Sequence, residues 1–477
     1  MADPVDLCII GAGPGGYVAA LRAAQLGMRV ALVEREHLGG VCLNRGCIPT
    51  KALLRVAELY TTFQRGAEFG ILADNLRLDY RRALRFRDRV VENLRNGVAG
   101  LLKSQGVQVL TGHGRLAGAR TVVVAHNGQE TPVEARRILL ATGTRPATPP
   151  IPGADHPALV LTSDDALQLT AVPPSVVVVG GGAVGIEWAV MFHAFGSAVT
   201  VLEMMPTLLP SEDEELGRHL ARILTRRGLT IQTGARVLAI EPGPEGGALV
   251  RYQAADGTEQ TARGERVLLA VGREPLTADL GLETAGVRTD RGWVPVDDGL
   301  QTNVEGIYAI GDITRHQLLA HVASHQGVVA VERMAGHERR LDYTRVPNCV
   351  FTHPEVASVG LSEAQARARG YDVRVGRFPL AALGRAQAYG DTEGFVKVVT
   401  EAKYGEILGV HIIGPVASDL IAEATLALQL EATVDDLLAT IHAHPTWPEA
   451  LPEAALASRG LALHLLKPRE QRMAANP

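Results

Sequence analysis

Val5-Asp6-Leu7-Cys8-Ile9-Ile10-Gly11-Ala12-Gly13-Pro14-Gly15-Gly16 runs from a short apolar strand straight into a G-x-G-x-x-G turn. The pattern continues as a helix to about residue 27, and residues 29–33 read as a second strand that ends on Glu34. Gly11 permits the tight turn, Gly13 lets the backbone approach a pyrophosphate, and Gly16 lets the helix pack on the strand. The helix N-terminus then faces phosphate, and Glu34, about twenty positions on, accepts from a ribose hydroxyl. A glycine triplet alone also marks ordinary tight turns. With strand, helix and acid all in place, the stretch reads as a dinucleotide site at the head of a parallel α/β sheet.

The unit is repeated. Residues 176–179 form a strand, followed by Gly180-Gly181-Gly182-Ala183-Val184-Gly185, a helix, and a strand over 198–202 that ends on Glu203. Residues 267–273, ending in Gly272 and Arg273, echo residues 138–144, which contain Thr142 and Gly143. This is an internal duplication. Glu34 to Gly143 spans 109 positions and Glu203 to Gly272 spans 69, so the first copy is forty residues longer. That excess holds Gly40-Val41-Cys42-Leu43-Asn44-Arg45-Gly46-Cys47-Ile48-Pro49-Thr50-Lys51.

Cys42 and Cys47 stand five apart at the start of what reads as a helix. An undistorted helix would hold their Cα atoms ~7–9 Å apart at ~1.5 Å rise per residue, whereas a disulfide wants roughly 4.4–6.8 Å. Bridging them needs an irregular first turn, which Gly46 and Pro49 supply. An accessible bridge closed across a distorted turn is of the labile, catalytic kind. Two free buried thiols remain the alternative on this stretch alone. Half of a zinc site is disfavoured, because no second cysteine cluster completes four ligands.

Two nucleotide units imply two dinucleotides, and a disulfide beside one implies electron relay. Flavin (FAD) is the first cofactor, since traffic between a nicotinamide and a dithiol needs an intermediary. Glu203 would accept from the 2′-hydroxyl of NAD and repel a 2′-phosphate, and Met204-Met205-Pro206 offers no arginine to reverse that. NAD is therefore the second cofactor.

At 477 residues the chain is too long for one core. A net charge of −5 leaves no electrostatic footprint for nucleic acid, and 51 glycines suit many tight turns. Four cysteines are too few for a secreted scaffold; Cys8 and Cys349 fall in apolar strand runs and are expected to be buried and inert. The first residues lack the signal-peptide pattern, and the apolar run 175–195 is broken by glycines and Glu187, which argues against a membrane span. A reducing cytoplasm fits these features.

The stretch from Gly39 through Leu54 closely resembles the redox signature of the dihydrolipoamide dehydrogenases, within the flavin-dependent pyridine nucleotide–disulfide oxidoreductases. Gly306-Ile307-Tyr308-Ala309-Ile310-Gly311-Asp312, Leu319-Ala320-His321-Val322-Ala323 and His442-Ala443-His444-Pro445-Thr446-Trp447-Pro448-Glu449 are also similar. The resemblance runs to about residue 466. It implies that Cys42 is the interchange thiol and Cys47 the thiol against the flavin. Asp312 would serve the ribityl chain, with Gly311, Ala320, Ala323, Thr142 and Gly143 also on the flavin side.

The same resemblance makes His444 the base and Glu449 its orienting carboxylate. Two metal ligands at His442 and His444 would lack further ligands. Lys51 and Glu187 each sit in an apolar helical context, where an unpaired charge is costly. Local salt bridges are the plain reading, while the resemblance pairs them near the flavin–nicotinamide contact. Departures from the family pattern are Ala183, where relatives carry a larger residue gating the nicotinamide pocket, Leu276 in place of asparagine, and Trp447, whose bulk narrows the substrate channel.

The expected architecture is α/β: two Rossmann-like dinucleotide-binding domains plus a C-terminal α+β dimerisation domain. Residues 1–149 form the FAD-binding domain with the redox disulfide, 150–274 the NAD-binding domain, and 275–345 the FAD-binding and central continuation. Residues 346–466 form the dimerisation domain, and 467–477 a flexible tail. The activity implied is oxidation of protein-bound dihydrolipoamide with reduction of NAD, in a 2-oxo acid dehydrogenase or glycine cleavage complex. The enzyme would be a homodimer with shared active sites and a lipoyl domain of an acyltransferase or carrier protein as partner. The alternatives are another disulfide reductase or a mercuric reductase of the same family, or a docking subunit of an acyl-transfer complex. Glu203 disfavours an NADPH-dependent glutathione type, and the chain lacks the vicinal C-terminal cysteines typical of mercuric reductases.

Overall fold

The structure, a computed structural model, describes residues 3–466; the tail expected over 467–477 lies outside the described residues. The chain falls into two compact units. The first comprises the residues up to 150 with 154–172 and 268–341, and the second 151–153, 173–267 and the residues from 342 onward.

In the first unit, β1 (Val5–Ile10) lies parallel between β2 (Val30–Glu34) and β6 (Gln129–Leu140). β3 (Gln108–Thr111) extends the sheet beyond β2. β4 (His113–Leu116) and β5 (Thr121–His126) pair antiparallel, and β5 pairs with β6 in the same sense. Leu7, Cys8 and Ile9 are all fully buried, so β1 reads as a continuous apolar run with both faces covered. The strand Ile307–Ala309 returns from far along the chain to pair with the end of β6.

Helix α1 (Pro14–Gln25) meets the helix Ala320–Met334 through small residues. A Cβ at Gly327 would come within 2.6 Å of the Gly15 carbonyl, so only glycine admits that approach. Arg22 Nη2 pairs with Glu332 Oε1 across the same contact at 2.7 Å. After β2 come α2 (Gly40–Arg45) and α3 (Cys47–Gln64). The long α4 (Tyr80–Ser104) is started by Asp79, whose side chain accepts from Arg82 N at 3.0 Å. The charged, helix-like pattern of residues 80–103 agrees with this helix. Its buried positions, Ala83, Val91, Val98 and Leu102, form one narrow stripe.

The second unit repeats the motif with parallel strands Ser175–Val179, Ala198–Glu203 and Thr230–Thr233. Its glycine-loop helix, Ala183–Ala194, is buried almost all round, which explains the membrane-like hydropathy of this stretch. Among the described residues, no helix is long and apolar enough to cross a membrane. The C-terminal part forms a five-stranded antiparallel sheet of Asn348–Val350, Glu355–Gly360, Ile407–Gly414, Phe395–Glu401 and Val373–Pro379, in that spatial order. The observed class is thus α/β with two dinucleotide folds and a C-terminal α+β part.

An acidic turn ties the second nucleotide fold to this sheet. Glu212 accepts from Asn348 and Ser358. Asp213, which caps the helix Glu214–Arg226, meets Lys397 Nζ at 3.0 and 2.9 Å. Glu215 and Glu363 each stand 3.2 Å from the same nitrogen. The Lys397 side chain is only 3 % exposed. Burial alone would raise the Asp213 pKa, but Lys397, His411 and the Glu215 amide together outweigh that and hold it below the usual carboxylate value. Replacing Lys397 with Met strands a buried carboxylate, a loss of about 3–5 kcal/mol; the thermal midpoint of the variant should fall, and an unchanged midpoint contradicts this account.

His411, buried on the neighbouring strand, uses Nε2 against the Leu361 carbonyl at 3.0 Å, while its Nδ1 has no partner among the described residues. Burial pushes its pKa below 6.5, only partly opposed by Asp213. The folded chain therefore refuses a proton that the unfolded chain accepts at about pH 6.5. This contribution is complete above that pH and shrinks as pH falls toward the folded pKa. Melting curves should show stability declining below about pH 6.5, and His411→Leu should flatten part of that decline.

Candidate functional site

The redox stretch begins in contact with the first glycine loop. Gly39 N donates to the Ala12 carbonyl at 2.8 Å. Gly40 has φ +58, and a Cβ there would meet Gly13 Cα at 2.6 Å. The cysteine segment therefore starts against the phosphate-loop backbone, and position 40 requires glycine. Between α2 and α3 the helix breaks at Gly46, with φ −139 and ψ −107. The break brings the Cα atoms of Cys42 and Cys47 to 4.7 Å, and the two are disulfide-bonded. The open choice between a bridge and free thiols is thereby decided for the bridge.

Asn44, between the two cysteines, donates to the carbonyls of Leu38 and Gly40 at 3.0 and 2.8 Å. It accepts from Arg95 of α4 at 3.0 and 2.8 Å. Arg95 was not legible as a site residue, because only the fold brings it fifty-one positions back to Asn44. Lys51 occupies the first turns of α3. Cys8 is buried, which pushes its thiol pKa up to about 12 and leaves it inert. Cys349, expected to be buried, is half-buried instead, since its strand Asn348–Val350 lies at the sheet edge.

Gly11 has φ +102, and a Cβ on it or on Gly16 would collide with the carbonyls of Ala141 and Gly11, respectively. Gly13 immediately precedes α1, and no atom lies closer than 4.0 Å to where its Cβ would be. The Glu34 carboxylate accepts from Ala12 N and Glu36 N, both at 2.8 Å. Beside it opens a cleft of about 170 Å³ lined by Gly11, Glu34, Arg35, Gly112, Thr142 and Arg145 among others. A bare-backbone cradle, a fixed carboxylate and an adjoining cleft fit the adenosine diphosphate half of FAD.

Asp312 Oδ2 accepts from Thr144 Oγ1 at 2.6 Å, and Thr144 Oγ1 accepts in turn from Arg273 Nε at 2.7 Å. Gly311 N donates to Gln326 Oε1 at 2.6 Å, which fixes the turn carrying Asp312 onto the helix that bears Ala320 and Ala323. Thr144, Arg273 and Gln326 were not legible as site residues; Thr144 reaches Asp312 across 168 positions and Arg273 across 129, while Gln326 acts on Gly311 from fifteen positions away. Thr142 Oγ1 donates to the Leu276 carbonyl, and Leu276 N donates to the Gly143 carbonyl. Leu276 takes part through its backbone, so the departure from asparagine leaves these bonds intact. Gly272, with φ +136, accepts from Ala147 N and belongs to this first unit.

In the second unit, Gly180 has φ +108 and Gly182 immediately precedes the helix that carries Gly185 and Glu187. The Glu203 carboxylate accepts from Gly181 N and from Met205 N, the arrangement that Glu34 makes in the first copy. This loop offers NAD the same kind of cradle. Glu187 is buried, and its Oε1 accepts from Phe351 N at 3.0 Å. Ala183 is the first residue of the helix.

The two histidines near the C-terminus part company. His442 is 9 % exposed, with Nε2 2.8 Å from Glu423 Oε1 and Nδ1 3.1 Å from the Thr440 carbonyl. His444 is 76 % exposed, with Nδ1 2.8 Å from Glu449 Oε1, which leaves Nε2 available. Glu449 Oε2 accepts from Thr446 N at 2.7 Å. Burial raises the Glu449 pKa, but the Thr446 amide and His444 together bring it below the usual value. Trp447, expected to narrow a channel, is instead packed in the C-terminal core, edge-on to Tyr389. No group of three or more His, Cys, Asp or Glu side chains suited to a metal occurs among the described residues.

The family model described as pyridine nucleotide-disulphide oxidoreductase matches residues 5–327, and that of the family's dimerisation domain matches residues 346–455. The dihydrolipoyl dehydrogenase of Bacillus subtilis is 43% identical over 474 residues, covering 97% of this chain and 100% of the relative. That of Thermus scotoductus is 45% identical over 463 residues, covering 97% and 99%. Among solved structures, LpdA from Mycobacterium tuberculosis superposes with a TM-score of 0.87 at 30% identity, over 94% of this chain and 99% of that one. The flavoprotein disulfide reductase RclA from Escherichia coli gives 0.85 at 30% identity, over 95% and 99%. Likeness sustained over nearly the whole length, together with a bridged cysteine pair set against a glycine loop, makes this chain a member of the pyridine nucleotide–disulphide oxidoreductase family.

Proposed function

We propose that the protein oxidises protein-bound dihydrolipoamide to lipoamide with reduction of NAD, as a homodimer serving a 2-oxo acid dehydrogenase or glycine cleavage complex in the cytoplasm. The observation that carries this is the Cys42–Cys47 bridge at the glycine loop, in a chain 43% and 45% identical to two dihydrolipoyl dehydrogenases along their length. Residues 1–149 and 275–345 hold FAD, 150–274 hold NAD, and 346–466 make the dimer.

His444 of a second copy takes the proton from one thiol of the substrate, and the resulting thiolate attacks Cys42, forming a mixed disulfide as the Cys42–Cys47 bond breaks and Cys47 leaves as a thiolate. The second substrate thiol displaces Cys42 from that mixed disulfide, which releases lipoamide and leaves Cys42 and Cys47 reduced. Glu449 holds the imidazole so that Nε2 faces the incoming thiol. An imidazole held by a carboxylate is the side chain suited to taking a proton from a thiol near neutral pH. FAD, when bound at the Gly11–Gly16 loop, supplies the two-electron relay from dithiol to nicotinamide. Glu34 and Asp312 orient it, and Lys51 and Glu187 supply charge near the flavin–nicotinamide contact. Glu203 takes the ribose hydroxyls of NAD.

Cys42→Ser should lose dihydrolipoamide oxidation while remaining yellow with bound flavin; full activity in that variant contradicts the scheme. The kcat/KM with NAD should exceed that with NADP by at least about a hundred-fold, because a 2′-phosphate would face the Glu203 carboxylate. Parity between the two cofactors would remove the role given to Glu203.

Sharing of sites between subunits has its own test. Cys42→Ser and His444→Gln dimers, each inactive, are unfolded together and refolded to exchange chains. Each mixed dimer then keeps one intact site, so about a quarter of wild-type activity should return. No recovery, with mixed dimers demonstrated, would place both groups of a site in one chain.

A further inference from the structure

Helix α4 carries seven cationic side chains against two carboxylates, in a chain whose net charge is −5. Three of the arginines are engaged. Arg82 pairs with Asp79, Arg87 with Asp88 and the Leu167 carbonyl, and Arg95 with Asn44. Arg81, Arg85 and Arg89 are exposed and form no ion pair among the described residues. They follow one another at i, i+4 and i+8, so they line one edge of the helix. Phe86, 37 % exposed, stands beside them.

Like charges at this spacing destabilise a helix. The stripe therefore costs the isolated fold stability that a partner's carboxylates would restore. Its position is informative too. Arg95 anchors α4 to Asn44, between the two bridged cysteines, and at ~1.5 Å rise per residue the stripe runs from about 9 to about 21 Å along the axis from that anchor. A basic, partly aromatic strip leading away from a redox disulfide suits a protein surface that delivers substrate there.

We propose that the Arg81–Arg85–Arg89 stripe docks an acidic face of the carrier domain that presents the dihydrolipoyl group. The proposal rests on the substrate reading above. On a chain of net charge −5, a stripe of three arginines is too small a cationic footprint for nucleic acid and suits the few carboxylates of one protein face.

The test compares free dihydrolipoamide with a reduced, lipoylated carrier domain of net negative charge, using the dimeric holoenzyme and its Arg81→Glu/Arg85→Glu variant. For the carrier, kcat/KM should fall about ten-fold or more in the variant at low ionic strength. The wild-type value should also fall as salt is raised, by screening. Free dihydrolipoamide should be turned over equally by both proteins. Equal loss with both substrates, or no loss with the carrier, overturns the docking proposal and leaves the substrate reading intact. Failure of the wild type with either substrate overturns the substrate reading itself. A variant that elutes as a monomer reassigns the stripe to self-association. Binding of a labelled DNA duplex by the wild type alone, with carrier kinetics unmoved, reassigns it to nucleic acid.

Discussion

The site depends on a helix that fails to continue. If residues 40–64 formed one regular helix, Cys42 and Cys47 would stand ~7–9 Å apart and could not bond. Gly46 interrupts it, and the Cα atoms close to 4.7 Å. The interruption leaves α2 with six residues, far too few to be stable through its own hydrogen bonds. It is held from outside, by Gly39 on the Ala12 carbonyl and by Asn44 under the guanidinium of Arg95. Helix α4 is thus the clamp on the redox turn.

The duplication extends to single atoms. In both copies the acid at the end of the second strand sends one oxygen to the amide that follows the first glycine. The other oxygen goes to the amide two residues beyond the acid itself. An ionised carboxylate has about four acceptor positions, so two remain for a ribose. The carboxylate therefore holds the phosphate loop in shape and presents acceptors beside it. A neutral amide at either place would meet the loop N–H groups with one acceptor and one donor, and the loop would lose a bond.

How much could be read from sequence follows from the distance over which each feature is encoded. Strand β1 and helix α4 announce themselves because burial on two faces, or on one stripe, is written into adjacent residues. The glycine loops are legible because sterics demand glycine at fixed spacing. Thr144 and Asp312 are 168 positions apart, and Asp213 and Lys397 are 184 apart; no local pattern marks such pairs. Trp447 shows the opposite error. Its position beside the catalytic motif suggests a channel wall, yet the apolar ring gains more by burial against Tyr389 and the C-terminal core. The strand Ile307–Ala309 completes the first sheet from far along the chain, which local hydropathy gives no means to assign.

His442 and His444 show what the fold adds to chemistry already suspected. Both are histidines beside a carboxylate, and residue type does not separate them. His442 spends both nitrogens, one on Glu423 and one on a backbone carbonyl, and its ring is nearly enclosed. His444 spends one nitrogen, on Glu449, and that carboxylate is itself fixed by the Thr446 amide. A general base needs an oriented ring, a nearby carboxylate to stabilise the imidazolium, and a second nitrogen free to take the proton. Of the pair, only His444 meets all three conditions, and it does so because the turn before the helix Ala450–Ser458 places Glu449 five residues after it.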